Sequence, residues 1–277
     1  MRDPHPRALV QVALENPNSV HSPVLASLVA SRAEAEPERL CLIFENGDFP
    51  DERIHLREIA THANQIAFEL RRAGLRKGDK VAVMLRNHPE FVYMLVANSK
   101  LGLVTVPIDP RTRGEKLKYL LAFADCSAVV AGDYVLADAP ACDALRDLPL
   151  TCYALSTAEG RTAGLVVDRW PTLNEILEGP GREDVGQHVE DPREPWLLTY
   201  TSGTTGDPKA IVFTYERMLF YQRTPGYFGY RPDDIPYTGL SMTHGNALVV
   251  TMMPAIWGSV SHAVFSRWFT KSRLWDV

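Results

Sequence analysis

A chain of 277 residues, 45% hydrophobic and 23% charged, has the makeup of an ordinary soluble globular protein and room for one large domain or two small ones. A net charge of −5 and a pI near 5.9 argue against a general nucleic-acid binder, which presents a basic domain, but leave room for anionic small ligands held by a local cluster of donors. The four cysteines lack a CxxC pair and read as free thiols, the opening residues lack the apolar run of a secretion signal, and the longest apolar stretch, 247–257, is broken by Thr251 and Pro254 and is too short to cross a bilayer, so a cytoplasmic protein without a membrane span is expected.

In chain order, the first clear element is a helix. Leu56, Ile59, Ala60, Ala63, Ile66, Ala67 and Leu70 recur at helical spacing, and Gly74 stands where a C-terminal stop belongs. LRKGDKVAVML then reads as a turn and a buried strand. A second helix is expected over 89–102, with Pro89 in its first turn and Gly102 at its end. VTVPI (104–108) is a strand, 115–125 a third helix and SAVVAG (127–132) a third strand. Strands alternating with helices at this pitch imply an α/β fold, parallel-rich sheets flanked by helices. Residues 155–192, rich in Gly, Pro and charge, read as a surface connection with one short helix near Thr172–Leu177. WLLTY (196–200) and AIVFT (210–214) are two further strands, a helix is expected from about Glu216 to Arg223, and 247–257 reads as a buried helix.

Between the last two strands lies TSGTTGDPK. Gly203 and Gly206 allow positive φ and can turn backbone N–H groups inward as an anion-binding nest. Thr201, Ser202, Thr204 and Thr205 add rotatable hydroxyl donors, and Lys209 adds a point charge. The chemistry suggested is a polyphosphate grip. It is not a Walker loop, because Lys209 follows Gly206 by three residues and a strand comes next. Composition alone leaves a solvated Gly/Thr turn equally open.

The order of residues adds a family. YTSGTTGDPKA resembles the signature loop of the AMP-forming adenylating enzymes: acyl-CoA synthetases, peptide-synthetase adenylation domains and luciferases. Residues 54–132, with the RKGDKVAVML turn and strand, the N-x-PEF helix start and the VPIDPR strand end, resemble that family's N-terminal region, and the resemblance covers nearly the whole chain after residue 22. It implies a short extension over 1–22 followed by an incomplete AMP-binding large domain over 23–277, a truncated acyl-CoA-synthetase-like fold. YTGLSMTHGNALVV (237–250) falls where the family carries a segment like LPLFHxN, so His244 and Asn246 are the implied wall of the acyl pocket. Ser241 and Thr243 replace the usual proline and aromatic, and Ala210 and Tyr215 stand where glycine and histidine are common. A lone histidine before an apolar helix can equally be a cap or a core residue, and none of the histidines shows metal-ligand spacing.

The implied reaction joins a carboxylic acid to a thiol at the expense of ATP, with Mg²⁺ and coenzyme A as further requirements. Thr201, Ser202, Gly203, Thr204, Thr205, Gly206 and Lys209 would hold the departing phosphates. The segments that carry the adenine and ribose contacts, the magnesium-binding glutamate and the C-terminal lysine-bearing domain do not occur in the 277 residues, so no catalytic residue is assigned and a piece inactive alone is expected. The alternatives are an adenylation module loading a carrier protein and a catalytically dead nucleotide-binding fragment, and a homodimer is possible. An exposed apolar patch is expected at 247–257.

Overall fold

Two sheets organise the residues described by the computed structural model, which are 22, 24–47, 49–157, 170–201 and 209–267. The smaller sheet has the order β2-β1-β9, from β1 (Leu40–Glu45), β2 (Glu52–His55) and β9 (Ala263–Ser266), with β1 antiparallel to β2 and parallel to β9. The larger has the order β6-β5-β3-β4-β7-β8, from β3 (Lys80–Met84), β4 (Val104–Pro107), β5 (Cys126–Gly132), β6 (Thr151–Leu155), β7 (Pro195–Thr201) and β8 (Lys209–Thr214). Its first five strands are parallel, and β8 returns antiparallel to β7.

The helices are α1 (Leu25–Ala35), α2 (Leu56–Arg72), α3 (Pro89–Leu101), α4 (Gly114–Phe123), α5 (Asp133–Leu136), α6 (Ala139–Arg146), α7 (Leu173–Glu178), α8 (Tyr215–Tyr221), α9 (Thr224–Phe228) and α10 (Met253–Trp257). At the start of α2 the Glu58 carboxylate accepts the His55 backbone N–H at 2.8 Å, satisfying one of the helix's orphan donors. α3 begins on Pro89 and ends at Gly102, whose φ of 68° is the left-handed conformation a glycine C-cap supplies.

Strand alternation divides the interior in two. Val81, Val83 and Leu85 of the β3 segment face one core with Ala128 and Val130 of β5, and α3 covers it with Phe91, Val92 and Leu95. Ala82 and Met84 face the other core with Val129 and Ala131, and α4 covers it with Leu117, Leu120 and Leu121. The helices that follow the neighbouring strands β3 and β4 therefore leave to opposite faces of the sheet. That arrangement opens a crevice at the carboxyl ends of the two strands, the usual place for a ligand in a parallel α/β sheet.

The α/β reading and its alternating elements hold over 56–132, and the short helix at 173–178 is present, with the Thr172 hydroxyl accepting the Glu175 N–H at 3.2 Å. Three features differ. The smaller sheet and α1 were not expected from periodicity, nor were α5, α6 and β6. The segment 247–257 is a π-helical stretch (Ala247–Met252) running into α10. Pro254 has no N–H for the Val250 carbonyl, and the Tyr230 hydroxyl donates to that carbonyl at 3.2 Å. This segment is not the exposed patch: Ala247, Leu248, Met252, Met253, Ala255 and Ile256 are buried, packed in the core that holds α1 and α3. Its apolar residues face the smaller sheet's side of the molecule, so the expected surface lies elsewhere, on β8 and α8, where Ile211, Val212 and Phe220 are exposed.

Among the described residues Cys41 and Cys126 are free thiols, and burial pushes that of Cys41 up to about 12. No helix among them is long and apolar enough to cross a membrane. The expected N-terminal extension falls, but for Ser22, outside the described residues.

Candidate functional site

A cavity of about 480 Å³ opens at the crevice between β3 and β4. Arg86 and Asn87, which follow β3, form one wall, and Asp109, Pro110 and Arg111, which follow β4, form the second. Gly239, Leu240, Ser241 and His244 close the third side, and Arg267, just after β9, completes it. Three arginines thus stand against one carboxylate. Arg111 grips Asp109 through Nε at 3.0 Å and Nη2 at 2.6 Å, and these bonds hold the Asp109 carboxyl below its usual range, with a smaller contribution from His244. Arg267 is buried and ion-paired with Glu52. The Arg86 guanidinium lies 4.0 Å from the centre of the Tyr134 ring, whose hydroxyl accepts the Arg86 backbone N–H at 2.6 Å. The cavity therefore favours an anionic occupant and has fixed, rather than freely swinging, cationic walls.

The turn that carries His244 is built locally. The His244 N–H bonds the Ser241 carbonyl at 2.9 Å, the Ser241 and Thr243 hydroxyls meet at 3.0 Å, and the His244 carbonyl accepts the Ala247 N–H at 3.0 Å where the helical segment starts. His244 is exposed and lines the cavity, so it is not a core residue. Asn246 is exposed and is not among the residues lining the cavity.

The phosphate-loop candidates lie on the β7–β8 hairpin. Thr201 and Lys209 are paired residues at the facing ends of β7 and β8, both exposed, and the Thr201 hydroxyl donates to the Lys209 carbonyl at 3.4 Å. Ser202, Gly203, Thr204, Thr205 and Gly206 lie outside the described residues. The strand leading into them is anchored by Tyr200, whose hydroxyl donates to the Leu120 carbonyl of α4 at 2.6 Å. β7 runs parallel to β4 with Leu197 opposite Thr105, so Thr201 and Asp109, each four residues further on, leave the same carboxyl edge of the sheet on adjacent strands.

Sequence reasoning singles out His244 but not Arg86, Asp109, Arg111 or Arg267. A signal existed for the middle two: Asp-Pro-Arg directly after a parallel strand is placed where such sheets bind ligands. Arg267 had none, since its partners are distant in the chain.

Comparison with known proteins bears on what such a site serves. The profile of the family described as AMP-binding enzyme matches residues 29–277. Curated relatives include the medium/long-chain-fatty-acid–CoA ligase FadD6 of Mycobacterium tuberculosis, 29% identical over 265 residues, covering 95% of this chain and 41% of that protein. The sulfoacetate–CoA ligase of Cupriavidus necator is 28% identical over 256 residues, covering 91% of this chain and 47% of that protein. Among solved structures, the long-chain-fatty-acid-CoA ligase FadD1 from Archaeoglobus fulgidus superposes with a TM-score of 0.73 at 19% identity, covering 91% of this chain and 48% of that one. The inhibitor-bound N-terminal domain of FACL13 from Mycobacterium tuberculosis gives 0.69 at 26% identity, covering 91% and 59%. This chain spans less than half the length of those two curated relatives. With the family profile matched across all but the first residues and the fold shared with its solved structures, the chain belongs to the AMP-binding enzyme family.

Proposed function

We propose that this chain supplies the AMP-binding large domain, over 23–277, of an ATP-dependent carboxylic acid–CoA ligase. The carrying observation is that the arginine-lined cavity and the Thr201–Lys209 hairpin leave the same carboxyl edge of the sheet on neighbouring strands. A ligase of this kind must bring a carboxylate to a nucleotide triphosphate and then a thiol to the product. In the first step a carboxylate oxygen attacks the α-phosphorus, the bond to the bridging oxygen breaks, and pyrophosphate leaves. In the second the thiol sulfur attacks the acyl carbon, its proton passes to solvent, and AMP leaves. The carboxylate is already ionised at neutral pH, so the first step needs no general base. It needs donors for the charge that grows on the departing pyrophosphate.

In this reading Thr201, Ser202, Gly203, Thr204, Thr205, Gly206 and Lys209 hold the phosphates, while His244, with Arg111 and Arg86, walls the space in which acid and thiol meet. Asn246, exposed and off the cavity wall, has a weaker claim. Magnesium would arrive as the counter-ion of the nucleotide, whose phosphate oxygens are its natural ligands. The two relatives differ in the acid they are named for and share the CoA ligase name, which supports the thiol rather than any particular acid.

The 277 residues bind nucleotide and thiol but do not form adenylate alone. Calorimetric titration with coenzyme A tests the cavity: His244→Ala and Arg111→Ala are each expected to weaken binding roughly tenfold, about 1.4 kcal/mol, while leaving Mg·ATP affinity unchanged. Coenzyme A binding indifferent to both substitutions overturns the thiol assignment. Acid-dependent exchange of pyrophosphate into ATP by the 277-residue chain overturns the inactivity. Acyl transfer by the complete enzyme to a carrier phosphopantetheine, with free coenzyme A refused, would favour an adenylation module instead.

A further inference from the structure

Residues 235–243 carry the chain to His244 without a strand ladder of their own, so their buried backbone groups need partners from elsewhere. Asn87 supplies two of them, those nearest the turn, while the Val264 N–H serves the Pro236 carbonyl at 3.1 Å. Its side-chain nitrogen donates to the Leu240 carbonyl at 3.1 Å and the Ser266 carbonyl at 2.9 Å, and its side-chain oxygen accepts the Met242 N–H at 2.8 Å. Both amide hydrogens are used. The opposite orientation would face oxygen with two carbonyls and nitrogen with an N–H, so the bonding pattern fixes which way the carboxamide points.

Asn87 is 5% exposed and stands where three segments meet: the end of β3 in the larger sheet, the end of β9 in the smaller, and the turn before His244. It is held on both sides. Tyr134 takes the Arg86 N–H and stacks its ring on His88 at 5.9 Å with 13° between the planes. Leu240 and Met242 flank Ser241, whose carbonyl begins the turn that ends on His244. The two backbone groups that Asn87 fixes are therefore those that set the direction in which the turn enters the cavity.

We propose that Asn87 is the positioning residue for His244: through one carboxamide it ties both sheets to the turn and determines where the imidazole meets the cavity's occupant. The inference rests on the reading of that cavity as the acid and thiol site only for its consequence in binding, and its structural content stands apart from that reading.

The test has two arms on the full 277-residue chain. The first needs no ligand: amide hydrogen exchange, and the ring carbon–proton resonances of His244 by NMR. In Asn87→Ala the Met242 amide is expected to exchange at least tenfold faster and the His244 ring signal to move, while amides of β5 and β7 keep their protection. In Asn87→Asp, which retains the acceptor but loses both donors, Met242 protection is expected to be partly restored. A His244 signal unmoved in both variants overturns the proposal, as does loss of protection spread evenly over the larger sheet. If Asn87→Ala does not fold, Asn87→Ser carries the same comparison.

The second arm is a double-mutant cycle on coenzyme A affinity. Asn87→Ala and His244→Ala are each expected to weaken binding, and the double variant to be no weaker than the worse single one. Losses that multiply would overturn action through His244. Absence of coenzyme A binding in the unsubstituted chain would sink the site reading, leaving the first arm to decide the role of Asn87.

Discussion

His88, the residue before α3, shows how a single buried side chain carries a measurable electrostatic load. It is buried against Tyr134, and burial, followed by the charges of Arg267 and Arg86, pushes its pKa down to about 3. An unfolded histidine titrates near 6.5, so as pH falls the unfolded chain takes up this proton first. The stability due to neutral His88 is fully present above about pH 6.5 and is lost progressively toward pH 3, with a slope of at most about 1.4 kcal/mol per pH unit. Glu90 acts in the opposite sense: burial raises its carboxyl to about 7, so the stability it contributes falls as pH rises from 4.5 to 7. Urea midpoints of the chain and of His88→Phe, which keeps a ring over Tyr134, isolate the first effect. The midpoint of the chain should fall steadily relative to that of the variant from pH 6.5 to pH 4.5, and a constant difference would contradict a neutral buried histidine. At this scale the candidate site was only partly legible. Lys209 and His244 stand in local sequence motifs that draw attention to them, whereas Asn87 and Arg267 act across 153 and 215 positions of chain and leave no local pattern.

Elements were legible where period and punctuation agreed. α2 has its apolar face and Gly74, and α3 has Pro89 and Gly102. The Gly102 conformation can be tested directly. A φ of 68° disfavours any side chain, and a methyl group there would lie 3.0 Å from Lys77 Cγ, so Gly102→Ala should cost about 1–2 kcal/mol in denaturant unfolding with an unchanged m-value. A cost near zero would mean that α3 does not end as described. The smaller sheet was not legible because β1 pairs with β9 some 220 residues later, Leu42 facing Ala263 and Phe44 facing Phe265, and no window of sequence contains both partners. The π-helical stretch was likewise hidden: its apolar run announces burial, but the insertion that accommodates Pro254 depends on Tyr230 from another segment.

For the whole molecule, the parallel strands predict a site at their carboxyl edge, and both candidate subsites leave that edge. The edge strand β8 has a different consequence. Val212 on it is 51% exposed and Phe220 on the following helix α8 59%, and among the described residues no strand pairs with its outer side, an arrangement that invites association. Val212→Lys with Phe220→Glu should reduce concentration-dependent self-association in sedimentation velocity without lowering the melting temperature, whereas unaltered association would place the contact elsewhere. The most direct test of the molecule as a nucleotide-phosphate holder is calorimetric titration of Mg·ATP into the chain and into Lys209→Ala. The chain should bind saturably, and the variant about tenfold or more weakly, the worth of one charge-assisted bond. Equal affinity in the two, or no binding by the unsubstituted chain, would contradict a phosphate grip at the β7–β8 hairpin.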